Sequence, residues 1–199
     1  LGDCRQATLE RWRADVAAAC EELKAHCQSQ RVRVIGIRTG ATLALTGLDS
    51  ASVAQWVLWD PVVDGALHYR ELSRMHREKI RHLRVIRNWK RPRRIAGAEE
   101  LVGATYSKTT LAELRACSLI DVAARDKGGE SEHRNKPLRN ADILISERDN
   151  PQFERLAGAV EVQHLDVHCG WYESFNFNKT IIDKKISQQL VDTLMAFVP

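Results

Sequence analysis

One bend in the chain restricts its fold more than any other feature. Val32-Arg33-Val34-Ile35 is a β-branched, apolar run, and Ala41-Thr42-Leu43-Ala44-Leu45 is a small-residue helical one. Only Gly36-Ile37-Arg38-Thr39-Gly40 separates them. A strand that enters a helix through so short a link turns sharply, and the two elements pass close to each other. Glycine and alanine leave room for that approach, so Gly36, Gly40 and Ala41 are the small residues the bend needs. Arg38, at its centre, is expected in a strained, left-handed backbone conformation.

A small-x-x-x-small turn between strand and helix is the frame in which hydrolytic enzymes present a nucleophilic Ser, Cys or Asp. Here the central residue is Arg38. A guanidinium stays protonated and cannot attack a carbonyl. At a helix N-terminus, where free N–H groups already favour anions, it is instead suited to clamp a carboxylate or phosphate. Arg38 and Thr39 are therefore the candidate anion-binding residues. The alternative is an Arg38 that points to solvent or pairs with Asp60.

The rest of the chain alternates helix and strand. Ala7 to Cys27 predicts an amphipathic helix with Leu9, Trp12, Val16, Ala19, Leu23 and Cys27 along its apolar stripe. Arg31 to Ile35, Val53 to Trp59, Ala141 to Ser146 and Val160 to Val167 predict strands. Ala41 to Leu48, Thr109 to Cys117, Pro151 to Ala157 and Ile181 to Phe197 predict helices. Leu67 to about Trp89 reads as one long helix stopped by Pro92, followed by an irregular stretch over residues 93 to 107. Residues 125 to 140 are polar and carry two glycines, as loops do. Near-continuously apolar strands alternating with helices indicate a mostly parallel sheet covered on both faces, an α/β fold. One structural domain is expected, in three segments: residues 1–65 with the bend, a basic helical cap insertion over 66–118, and the remaining strands and closing helix over 119–199.

Charge is unevenly placed. The net charge is +4, from 30 Lys and Arg against 26 Asp and Glu. Between Arg74 and Arg94 there are ten bases and one acid, Glu78, so that segment is +9 and the remainder −5. Such a segment can attract nucleic acid, an anionic membrane surface or an acidic ligand, or it can simply be a solvated helix face. Only Trp89 interrupts it with an aromatic ring, which disfavours single-stranded nucleic acid. The five cysteines are odd in number, widely spaced and without a CxxC pair, as in reduced cytosolic thiols. Cys20 and Cys27, a heptad apart, are expected in the core. No apolar run approaches the length of a membrane span. Leu1-Gly2-Asp3-Cys4-Arg5 does not read as a signal peptide. A cytoplasmic location is expected, and with no initiator Met the chain is expected to be part of a longer polypeptide.

Several strings extend the likeness of the bend. Gly36-Ile-Arg-Thr-Gly-Ala-Thr-Leu-Ala-Leu is followed by Val57-Leu-Trp-Asp-Pro-Val-Val-Asp-Gly65 and Tyr69-Arg-Glu-Leu72. Glu99-Glu-Leu-Val-Gly-Ala-Thr-Tyr-Ser107 and Leu111-Ala-Glu-Leu114 come next. With these the chain resembles the α/β-hydrolase superfamily, and within it the hydrolases associated with exosortase systems and their serine-aminopeptidase-like relatives. The likeness covers most of residues 8 to 170. It implies a partial α/β-hydrolase fold that lacks the first four strands and the oxyanion hole they supply. It also implies a triad acid after the strand 141–146, which is Asp149, and a base after the strand 160–167, which is His168. Relatives in this branch also carry Gly-x-Arg-x-Gly at the bend, which removes the serine mechanism. Without the missing strands, residues 31–35 become a sheet edge that invites pairing. Self-association through that edge, or a partner that supplies strands, is expected.

Other groups of residues admit simpler roles beside a chemical one. His164-Leu-Asp166-Val-His168 places three metal-ligand types on one strand face but has no distant ligand set, and no metal or cofactor is expected. Cys169 beside His168 points to the opposite strand face, so the two do not form a nucleophile and base. Asp149 could orient His168 or cap the following helix. Asp60 and Asp64 flank Pro61-Val62-Val63 as a cap hinge, with Asp60 an alternative acid. The reading favoured by the residues is an α/β-hydrolase-like pseudoenzyme that binds a small anionic ligand at Arg38. The alternatives are an active hydrolase of esters, thioesters or peptides, and a basic nucleic-acid or membrane-surface adaptor.

Overall fold

A computed structural model describes residues 7–85, 95–122, 138, 141–146, 150–158, 160–165, 169, 171, 188, 189, 191, 192 and 195. In chain order the elements are α1 (Leu9–Cys27), β1 (Val32–Ile37), α2 (Thr39–Gly47), β2 (Val53–Trp59), α3 (Gly65–Leu83), β3 (Ala98–Leu101), β4 (Ala104–Ser107), α4 (Lys108–Ala116), β5 (Ala141–Ile145), α5 (Pro151–Ala157) and β6 (Gln163–His164). They fall into two compact units. One carries Trp12–Val63 with residues of Ser118–Cys169, and the other is built on Asp64–Cys117.

The first unit is a four-stranded sheet in the order β1-β2-β5-β6, parallel throughout and flanked by helices. The α/β class with a mostly parallel sheet is therefore as the alternation of apolar runs implied. Register places Val34 opposite Trp56, Gly36 opposite Leu58, and Leu58 opposite Ile143. Side chains alternate along each strand, so Trp56, Leu58, Ile143 and Ile145 line one face. There they form a single core with Ala41, Ala44 and Leu45 of α2 and Phe153 and Leu156 of α5. Val57, Trp59 and Leu144 alternate with them and are equally buried. This is why β2 is apolar at nearly every position: both of its faces are covered.

β1 behaves differently. Val32 and Gly36 are buried, whereas Arg33, Ile35 and Ile37 are exposed. Ile35 is 44% and Ile37 36% accessible. Among the described residues β1 is an end strand of the sheet.

Local chemistry adjusts several boundaries. β1 continues through Gly36 and Ile37, and α2 begins at Thr39, so the turn between them narrows to Arg38. Gly36 is essential to that corner, because a Cβ on it would overlap the Ala41 Cα. Gly40 is not, contrary to what the spacing implies: a Cβ there would meet nothing within 4 Å, because this position faces away from β1. On α1 the covered side runs through Trp12, Arg13, Val16, Ala17, Cys20 and Lys24, while Ala19, Leu23 and Cys27 are exposed. The stripe is rotated because Arg13 lies along α2: its Nε donates to Thr46 Oγ1 at 2.8 Å, and a Cβ on Gly47 would strike its side chain. Cys20 packs on the core, but Cys27 does not. β6 is two residues long rather than eight. The expected closing helix 181–197 and the loop 125–140 lie outside the described residues, apart from a few positions.

In the second unit, Asp64 caps α3 by accepting from the Leu67 N–H at 2.9 Å. Gly65 is required at the next position, since a Cβ there would overlap the Leu114 carbonyl oxygen of α4. The Gly65 N–H donates to the Cys117 carbonyl at 2.9 Å, which fixes the same approach. Ser107 caps α4 through the Thr110 N–H at 3.0 Å. α3 ends at Leu83, with Arg84 as its C-cap, well before Pro92. Met75, Ile80 and His68 are buried on one side of α3, while Arg70, Arg77, Lys79, Arg81 and Arg84 are exposed.

Residues 98–107, expected to be irregular, form the antiparallel hairpin β3–β4. Its two-residue turn has φ +52° at Val102 and +94° at Gly103, as a type I′ turn requires. The hairpin is tied to α3 at two points. Tyr69 donates its hydroxyl to the Glu99 carboxylate at 2.8 Å, and His76 Nδ1 accepts from the Val102 N–H at 3.2 Å. The Arg115 guanidinium lies 3.6 Å from the Tyr69 ring centre. Among the described residues no helix is long and apolar enough to cross a membrane.

Candidate functional site at the carboxyl edge of the sheet

In parallel α/β sheets, ligands bind beyond the carboxyl ends of the strands, because the loops there can be varied without disturbing the ladder. Three adjacent strands of this sheet end there in polar residues: β1 at Arg38, β2 at Asp60 and β5 at Ser146.

Arg38 is the corner itself. Its φ is +53° and its ψ −128°. These angles mirror the first central position of a type II turn and belong to glycine in most proteins. Holding a side chain there costs on the order of 1–3 kcal/mol. The conformation is strained, as the spacing of the glycines implied, but with ψ outside the left-handed helical range. Backbone bonds hold it in place. The Arg38 N–H donates to the Trp59 carbonyl at 3.0 Å, and its own carbonyl accepts from Ala41 and Thr42 at 3.1 and 3.4 Å. The Thr42 hydroxyl then donates to the Val62 carbonyl at 2.9 Å, pinning the first turn of α2 to the loop after β2. Arg38 stands at the N-cap of α2 without a side-chain capping bond, and Thr39 is the first helical residue.

Asp60 is fully buried and also has a positive φ, +42°. Aspartate tolerates this better than most side chains, which accounts for its place at the tip of β2. Its N–H donates to the Leu144 carbonyl at 2.9 Å. Its carboxylate accepts from the Ser146 N–H at 2.8 Å and also from the Ser146 hydroxyl. The Arg38 guanidinium reaches the same residue at a different atom: Nη1 donates to the Asp60 backbone carbonyl at 3.3 Å. Arg38 and Asp60 do meet, therefore, through that carbonyl.

The arrangement has a definite chemical character. The carboxylate at the tip of β2 is engaged by Ser146, whose hydroxyl is committed as a donor. The guanidinium at the tip of β1 is held at a helix N-terminus, where partial positive charge is already concentrated.

The remaining candidates fall elsewhere. Asp64 is the N-cap of α3. Asp149, Asp166 and His168 lie outside the described residues. The cap of α5, for which Asp149 was one candidate, is Asn150, which accepts from the Gln152 N–H at 3.1 Å. His164 is exposed on β6. Among the described residues no three His, Cys, Asp or Glu side chains are grouped to hold a metal ion. Ser146 is the residue that sequence reasoning missed. The signal was present, in that it is the first polar residue after the apolar run Ile143-Leu144-Ile145. Comparison with known proteins adds no assignment, since no family model and no curated protein matches the chain.

Proposed function

We propose that this chain is a non-hydrolytic binding module of α/β-hydrolase type, whose strand–helix corner accepts a small anion, a carboxylate or phosphate, at Arg38 and Thr39. The observation that carries this reading is the backbone of Arg38, φ +53° and ψ −128°, at a corner closed by Gly36 and Ala41. A fold that sustains such strain at one residue directs that side chain, and here the side chain is a fixed cation. A planar guanidinium beside helix N–H groups suits bidentate contact with a carboxylate or phosphate.

On the same reading, residues 66–118 are the cap insertion of the hydrolase-like fold. Asp149 and His168 are relics of an acid and a base. The edge at residues 31–35 is where a second copy or a strand-supplying partner joins, and the exposed Ile35 and Ile37 give that contact an apolar component.

The test is a titration with acetate and with inorganic phosphate, followed by NMR shifts of the Arg38 and Thr39 amides, alongside a turnover assay with p-nitrophenyl esters and acyl thioesters. Saturable shifts that vanish in Arg38→Gln, with no turnover, support the reading. Turnover that is lost in His168→Ala would overturn it, as would anion binding that survives Arg38→Gln.

A further inference from the structure

The basic helix α3 has a feature that the elbow does not use. Arg70, Arg77, Arg81 and Arg84 are all exposed, and none of the four makes an ion pair among the described residues. Their spacings are seven, four and three residues. At 3.6 residues per turn these positions fall within an arc of about 60°, and at 1.5 Å per residue they extend over about 21 Å. Arg74 falls on the same stripe but is clamped by Glu71 at 2.9 Å and Glu78 at 2.8 Å. Those contacts hold its proton more tightly than usual and cancel its charge locally. Four guanidinium groups without an ion pair among the described residues thus stand in a row along α3 and its C-cap. His68 and Met75 are buried on the far side of α3, and the Tyr69–Glu99 and His76–Val102 bonds tie the helix to the hairpin.

This geometry selects among polyanions. A helix that binds a lipid surface turns its apolar face into the bilayer and leaves its bases at the headgroups. In α3 the apolar side is already buried within its own unit, so only the cationic side is presented. Single-stranded nucleic acid is held by stacking on exposed rings. Among the described residues beside the stripe, the ring of Tyr69 is half-buried and engaged by Glu99 and Arg115; Trp89 lies outside the described residues. Among the described residues the stripe itself is a row of guanidinium groups with no aromatic ring in it. That suits the regular phosphates of a duplex, which carry one charge per about 1.7 Å of helix axis.

We propose that the Arg70–Arg77–Arg81–Arg84 face of α3 binds double-stranded nucleic acid through its phosphodiester backbone, without reading sequence. Phosphate contacts position a protein on a duplex and carry no base information, which is all that this face offers.

Fluorescence anisotropy tests the proposal, using the whole chain with labelled duplex DNA, duplex RNA and a single strand of equal length, and co-sedimentation with vesicles of phosphatidylcholine and phosphatidylserine as the fourth arm. Duplex binding of either kind, tighter than to the single strand or the vesicles, is expected. Its logarithm should fall with the logarithm of salt with a slope of about −3.6, as four phosphate contacts require. The double variant Arg77→Glu/Arg81→Glu should weaken duplex binding by about tenfold or more and make the slope shallower by about 2. Its circular dichroism should not change, because neither side chain has an ion-pair partner among the described residues. Absence of duplex binding at low salt, equal binding by the folded double variant, or preference for the vesicles or the single strand would each overturn the proposal.

Discussion

The buried carboxylate of Asp60 receives both the N–H and the hydroxyl of Ser146. Two neighbouring strands, β2 and β5, are thereby latched at their carboxyl ends by side-chain chemistry where their ladder stops. A carboxylate at zero exposure is tolerated only with donors such as these. Ser146→Ala removes one donor and leaves the charge in place, and is expected to cost about 1–3 kcal/mol. Asp60→Ala should cost more, because it also forces alanine into a φ of +42°. Urea denaturation of both variants measures the two costs, and equal stability of wild type and Ser146→Ala would contradict the latch.

The corner before α2 distinguishes two glycines that look equivalent in the sequence. Gly36→Ala places a methyl group against the Ala41 backbone, and overpacking of this kind costs about 1–3 kcal/mol or more. Gly40→Ala meets open space inside the first turn of a helix, where alanine is favoured by about 0.5–1 kcal/mol. Thermal melts should move in opposite directions for the two variants.

Strain at Arg38 has a measurable counterpart. Arg38→Gly releases a conformation that glycine adopts freely, so stability should rise by about 1 kcal/mol or more while the cation is lost. A variant that melts higher and no longer shifts with acetate or phosphate separates the fold requirement at this corner from its ligand requirement.

The hairpin turn offers the same argument at a second place. Val102 is β-branched at φ +52°, in a type I′ turn that prefers asparagine or glycine. Val102→Asn is expected to stabilise the chain by about 1 kcal/mol while keeping the N–H that His76 accepts. A fall in stability would mean that the Val102 side chain contributes packing that outweighs its backbone strain.

Thiol chemistry checks how far along α1 the core covers it, because Cys20 and Cys27 lie on nearly the same side of the helix and Cys27 is its last residue. Burial, helped by the neighbouring Glu21, raises the Cys20 thiol above its ordinary value, so its reactive thiolate is suppressed. Cys27, a heptad away, is exposed. Limited alkylation at neutral pH, followed by peptide mapping, should label Cys27 well before Cys20. Equal rates would mean that the core does not shield Cys20.

What the sequence by itself determined is local or periodic. The alternation of β-branched runs with helical ones sets a parallel α/β sheet, because strands covered on both faces are apolar at nearly every position, as Val53–Trp59 is apart from Gln55. Two glycines around Arg38 announce a strained corner, since that depends on residues only a few positions apart. Tertiary contacts decided the rest. The face of α1 that is covered was set by Arg13 against α2, a neighbour 33 residues away for which α1's own periodicity holds no information. The hairpin over residues 98–107 escaped detection because Glu99 and Glu100 are poor strand formers, and its pairing is held by Tyr69 and His76 from α3. Ser146 gains its meaning only beside Asp60, 86 residues earlier in the chain, when parallel pairing brings the ends of two strands together.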